Sequence, residues 1–268
     1  MPEELTSDRY YLRMANSVTG ANVYFRTLMF RNDGSFYWRG VLHEFVEQRK
    51  KTIVEQKIFG DYYVISGRFG ARSNNPQKYF QDAQVLEKAF YSPEDEDLKD
   101  RYAFYTAQSY RDADMPEKAI EWYAKRANLG GWYEEVYYSL LQIALLKIEL
   151  NASLNEIQNL LLATYEYRPQ RAESLYHLAR QLRYHNKARL AYIYATVAAN
   201  IPLSKDILFV DHAVYEWKAK EELAMSANSV GNYQLCHDLC IELLFNPAVP
   251  EPNRKLLLDN LKLAKEHL

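Results

Sequence analysis

The chain has 268 residues, 33 basic and 35 acidic, for a formal net charge of −2. That balance excludes the polycationic footprint of a nucleic-acid binder, and no uninterrupted apolar run reaches membrane-spanning length. Two cysteines, Cys236 and Cys240, are too few for a disulfide framework and predict a reducing, cytoplasmic setting.

The first 75 residues predict a small β-containing segment. "NVYFRTLMF" and "DYYVISG" are rich in β-branched and aromatic residues and bounded by Gly, Asn and Asp, which predicts strands. "RNDGSFYW" predicts a hairpin turning at Asp33-Gly34. "WRGVLHEF" follows, with His43 placed just past that hairpin and Glu44 beside it. A histidine so placed is a metal ligand, a general base or a satisfied structural residue, and Trp38 is a ligand floor or a core residue. "SGRFGARSNNPQK" brings Arg68, Arg72 and Lys78 beside a helix start at Pro76, a weak phosphate-holding pattern or a solvated loop.

From Pro76 the helical period dominates, so residues 76–268 are expected to form a second region. Tyr79, Ala83, Leu86 and Phe90 mark one apolar face of a first helix. "SPEDEDLKD" predicts a cap at Ser92 and a solvated acidic helix entry. Helix pairs then recur, with turn marks at Asp114, Asn151, Asn186 and Gly231, roughly 35 to 45 residues apart, the period of paired-helix solenoids. "PNRKLLLDNLKLAKEHL" predicts a terminal amphipathic helix that caps the stack. The 23 tyrosines are expected chiefly between repeat helices.

Two further patterns carry chemistry-bearing residues. "CHDLC" sets Cys236 and Cys240 four apart, a spacing read as buried small hydrophobes for want of further zinc ligands. Glu134 and Glu135 stand near a helix start, where acids complement the helix dipole.

Two resemblances add to these readings. "YTAQSYRDADMPEKAIEWY", with small Ala107 and Ala119 and with Pro116 opening a helix, resembles a tetratricopeptide repeat. The expected fold is therefore mainly α, a tetratricopeptide-like helical-hairpin solenoid preceded by a small β-containing segment. The order "YWRGVLHEFVE", "SGRFGARSNNPQKYFQDAQVLEKAF", "RYAFYTAQSYRDADMPEKAIEWYAKRANLGGWYEEVYYSL" resembles the C-terminal part of family 2-type glycosyltransferases fused to such repeats, over roughly Asp8 to Leu140.

That second resemblance implies a nucleotide-sugar donor held through manganese or magnesium, with His43 as a metal contact and Glu44 behind it. Trp38, Arg68 and Arg72 would face the donor, and the repeats would present a protein or glycan acceptor. The Asp-x-Asp motif such enzymes require is not matched: Asp112-Ala113-Asp114 falls in a turn between two repeat helices. The expectation is thus a transferase part without its donor-binding half and without an assignable catalytic base. The alternative is a non-catalytic protein-interaction module that holds a peptide or protein partner.

Overall fold

The computed structural model describes residues 4–15, 24–49, 53–65 and 75–268. Contacts divide the chain into two compact units, residues 1–114 and 115–268. Strands are described up to Ile65 and helices from Lys78 onward, and the first two helices belong to the same unit as the strands.

In the first unit, β1 (Arg9–Ala15) and β2 (Tyr24–Phe30) pair antiparallel, while β5 (Glu55–Lys57) and β6 (Val64–Ile65) pair parallel on the other edge of β1. A separate two-stranded sheet joins β3 (Phe36–Arg39) to β4 (Phe45–Gln48). This corrects the expected hairpin. A turn does form at Gly34, with φ +77 and the Ser35 N–H donating to Asp33 Oδ1, but the strands it joins enter different sheets. β1 was missed because "RYYLRMA" buries Tyr10, Met14 and Ala15 without the strict alternation that marks a half-buried strand.

The helices of this unit are α1 (Lys78–Phe90) and α2 (Lys99–Asp112). They bury Leu86, Ala89 and Tyr102, with Leu42 and Phe45 of the β3–β4 hairpin packed against them. "PEDED" is not simply a solvated entry. Asp95 and Asp97 both accept from the Arg39 guanidinium, at 3.3 Å and 2.7 Å, which fastens the hairpin to the start of a short 3₁₀ turn at Glu96–Leu98. Ser92 caps only its own turn, accepting from the Glu94 N–H at 3.3 Å.

The second unit holds α3 (Pro116–Leu129), α4 (Tyr133–Glu149), α5 (Leu154–Tyr167), α6 (Glu173–Tyr184), α7 (Ala188–Asn200), α8 (Ala219–Ser229), α9 (Tyr233–Leu244) and α10 (Glu251–Glu266). Each packs on the next, and α6, α8 and α10 also pack in series, the side-by-side arrangement of a helical-hairpin solenoid. Ala191, Ala195 and Ala224 are fully buried, and such small residues permit close approach of helix axes. Tyr123 and Tyr137 are fully buried as well, as the tyrosine reading anticipated.

All four turn marks lie in the left-handed region: Asp114 (φ 57), Asn151 (φ 54), Asn186 (φ 58) and Gly231 (φ 81). Behind three of them a doubled backbone bond closes the helix. The N–H groups of Ala152, Lys187 and Asn232 reach back to the carbonyls of Lys147, Leu182 and Ala227 at 2.8–2.9 Å.

The segment 201–211, between α7 and α8, is the longest connection in the unit and is braced from two helix starts. Glu134 of α4 accepts from the N–H groups of Ile207 (2.8 Å) and Leu208 (2.7 Å). Fully buried Arg171 donates to the carbonyls of Leu208 and Phe209 and to Glu173. Phe209 adopts φ +46 and lays its ring 4.7 Å from that of Tyr138. Glu135 pairs with the buried Arg126 at 2.8 Å. The acids at the start of α4 therefore bind specific partners, beyond complementing a helix dipole.

Candidate functional site

"WRGVLHEF" is itself a hairpin. Trp38 and Arg39 end β3, Gly40–Glu44 form the connection, and Phe45 starts β4. Gly40 takes φ +95 and His43 takes φ +53, so this turn bends through two left-handed residues. His43 thus lies inside a hairpin loop and not beyond the hairpin expected upstream.

The loop forms one wall of a cleft of about 420 Å³ in the first unit. Trp38, His43 and Glu44 all line it, together with Phe25, Arg26 and Thr27 of β2, Phe45 and Val46 of β4, and Arg101 and Tyr105 of α2. Three of the residues singled out from the sequence are therefore brought together. Arg68 and Arg72 lie outside the described residues. Lys78 is turned to Asp82, at 2.9 Å along α1.

The imidazole of His43 lies flat on the Tyr105 ring, centroids 4.0 Å apart and planes 8° from parallel. Loss of solvent on that face, and the positive charge of Arg101 nearby, hold its pKa below the usual histidine value. Arg101 donates to the His43 carbonyl at 2.5 Å and lies over the rings of Phe45 and Tyr105. Its Nε is buried without a hydrogen-bond partner among the described residues. Trp38 is 60% exposed, which removes it from the core and leaves its ring available to a ligand.

These residues do not fit a divalent cation. The cleft offers one imidazole and one carboxylate and sets two guanidiniums beside them. Among the described residues no three His, Cys, Asp or Glu side chains converge. Asp112 and Asp114 stand at the end of α2 and in the turn after it, and belong to no group of three or more such side chains among the described residues.

A second concavity, of about 520 Å³, lies in the helical unit along α6, α8 and α10. Tyr176, His177, Arg180 and Tyr184 of α6 line it, with Trp217 and Lys218 ahead of α8, Met225 of α8 and Leu256 of α10. Trp217 and Lys218 sit in a wide π turn, Val214–Lys218, that leads into α8. Most charges here are already matched. Arg183 holds Glu222 through two bonds of 2.7 and 2.9 Å, Lys218 holds Asp211 at 2.7 Å, and Asn253 donates to Glu221 at 2.8 Å.

Arg180 differs, because it donates to the Tyr184 hydroxyl at 3.1 Å and has no carboxylate partner among the described residues. Burial pushes His177 down to about 4, helped by the charges of Arg180 and Lys218, so this imidazole is neutral at pH 7. Sequence reasoning missed this groove because its residues come from three repeats.

Cys236 and Cys240 are both buried, sulfurs 4.0 Å apart. No described helix is long and apolar enough to cross a membrane.

No protein-family model matches the chain, and no curated protein sequence does. Among solved structures, MamA superposes with a TM-score of 0.46 and 13% identity, over 76% of this chain and 96% of that one. A putative kinesin light chain of Podospora anserina with nearly identical TPR-like repeats superposes with a TM-score of 0.45 and 16% identity, over 66% and 89%.

Proposed function

We propose that this chain is a protein-interaction module whose helical groove receives a segment of a partner protein. The observation that carries the reading is the groove along α6, α8 and α10, where aromatic residues share the lining with a guanidinium, Arg180, that makes no ion pair with a carboxylate among the described residues. Aromatic side chains give large contact area at small entropic cost, and an unpaired guanidinium selects an acidic or carbonyl-bearing partner group. A transferase role has less to stand on, since the described residues assemble no cation site for a nucleotide diphosphate.

The test is peptide display against the whole chain, followed by affinity measurement with Arg180→Glu and Leu256→Arg. Peptides enriched by the wild type should lose at least about tenfold in affinity to each variant, about 1.4 kcal/mol. Enriched peptides that bind both variants as tightly as the wild type would remove the groove from the reading.

A further inference from the structure

The cleft of the first unit is bordered by a strand edge with unused backbone groups. β2 is the outer strand of its sheet, and among the described residues no strand pairs with its far side. The register shows which groups face outward. On β1 the Tyr11 carbonyl accepts from the Ile58 N–H at 3.0 Å, and the Arg9 N–H donates to the Val54 carbonyl at 3.2 Å. Odd-numbered residues of β1 therefore serve the β5 side.

Even-numbered residues of β1 therefore serve β2; just before the strand, the Asp8 carbonyl accepts from the Arg31 N–H at 2.9 Å while its own N–H turns to Val54. Leu12 and Met14 lie opposite Arg26 and Tyr24, so those two turn their backbone groups inward. Phe25 and Thr27, the intervening positions, turn theirs outward.

The same three residues, Phe25, Arg26 and Thr27, line the cleft. Successive strand residues point to opposite faces, so three in a row line one cavity only when it meets the strand edge-on. The facing wall supplies the exposed Trp38 ring and the guanidinium of Arg101 with its unpartnered Nε. Arg26 and Arg101 are opposed in the cleft by one carboxylate, that of Glu44.

An open row of peptide groups beside an aromatic ring and an excess of positive charge is complementary to one kind of occupant. We propose that this cleft binds an acidic peptide segment in extended conformation. The segment adds to the outer edge of β2 through the backbone of Phe25 and Thr27, and sets a carboxylate on Arg101. The site is separate from the helical groove and does not depend on it.

The experiment uses the whole chain and a pool of fluorescein-labelled hexapeptides with aspartate fixed at the second and fourth positions. The tightest member is then compared with its copy N-methylated at alternate amides, which keeps every side chain but cannot pair along a strand. The N-methylated copy should bind at least about tenfold more weakly, and so should a copy with asparagine for aspartate.

Thr27→Pro removes an outward N–H on an edge strand, a position where proline is tolerated. It should leave the melting curve unchanged and weaken the peptide by a similar factor, and Arg101→Gln should weaken the peptide as well. Equal binding of the N-methylated copy would overturn strand addition, and equal binding of the asparagine copy would overturn the charge reading. Absence of binding to the folded wild type would overturn the proposal. So would displacement of the peptide by uridine diphosphate with manganese, which would give the cleft to a nucleotide.

Discussion

His177 is held without its proton among Tyr176, Arg180 and Lys218, with Asp211 and Glu173 too weak to compensate. Its folded pKa of about 4 lies below the unfolded value near 6.5, so the unfolded chain binds more protons at intermediate pH. Stability contributed by this residue is complete above pH 6.5 and is lost as pH falls toward 4. Between pH 7 and 5 the loss is about 2 kcal/mol, measurable by urea unfolding. His177→Gln should flatten that part of the profile, and an unchanged slope would clear His177 of the effect. Arg171 presents the opposite case. Burial alone would lower its pKa, and the Glu173 carboxylate more than reverses this. Arg171→Met strands Glu173, which is 2% exposed, and should cost about 3–5 kcal/mol in thermal or urea unfolding.

The helical hairpins were legible because each is punctuated by a residue suited to positive φ. Asp114, Asn151, Asn186 and Gly231 stand where the sequence marked turns, and Asn and Gly reach that conformation at least cost. It follows that Asn151→Gly should leave the unfolding midpoint nearly unchanged. Asn151→Val should destabilise by about 1–2 kcal/mol, since a β-branched side chain clashes there. Ser153, which accepts the Glu156 N–H at 3.3 Å to start α5, should cost about 1 kcal/mol when replaced by Ala.

Strands were read less well, and the reason is physical. "NVYFRTLMF" and "DYYVISG" contain β2 and β6, but pairing order depends on partners distant in sequence, which local pattern does not encode. The cleft shows the same division. Trp38, His43 and Glu44 are near neighbours in sequence, so their convergence was accessible. Arg101 meets the His43 carbonyl across 58 residues and left no local trace.

At the scale of the whole molecule, two compact units replace the division at residue 75, because the β3–β4 hairpin packs Leu42 and Phe45 into the core of α1 and α2. In the helical unit the buried thiols report on global opening. The Cys236 sulfur beside it, and then burial, push the Cys240 thiol up while the same contact lowers the Cys236 thiol, so it is burial that keeps both from attacking in the folded state. Both cysteines should resist Ellman's reagent in buffer and react fully in urea, with a midpoint matching that of helix loss by circular dichroism. Rapid labelling of either thiol in buffer would show that α9 opens locally.

The braced segment 201–211 has a practical consequence. Its length and exposed Ile207 and Phe209 make it look like the natural place to splice in a reporter or to shorten the chain. Yet its peptide groups terminate the side chains of Glu134 and Arg171, anchored at the starts of α4 and α6. Cutting it would take both N–H donors from the buried Glu134 carboxylate and leave Arg171 with Glu173 but without its two carbonyl acceptors.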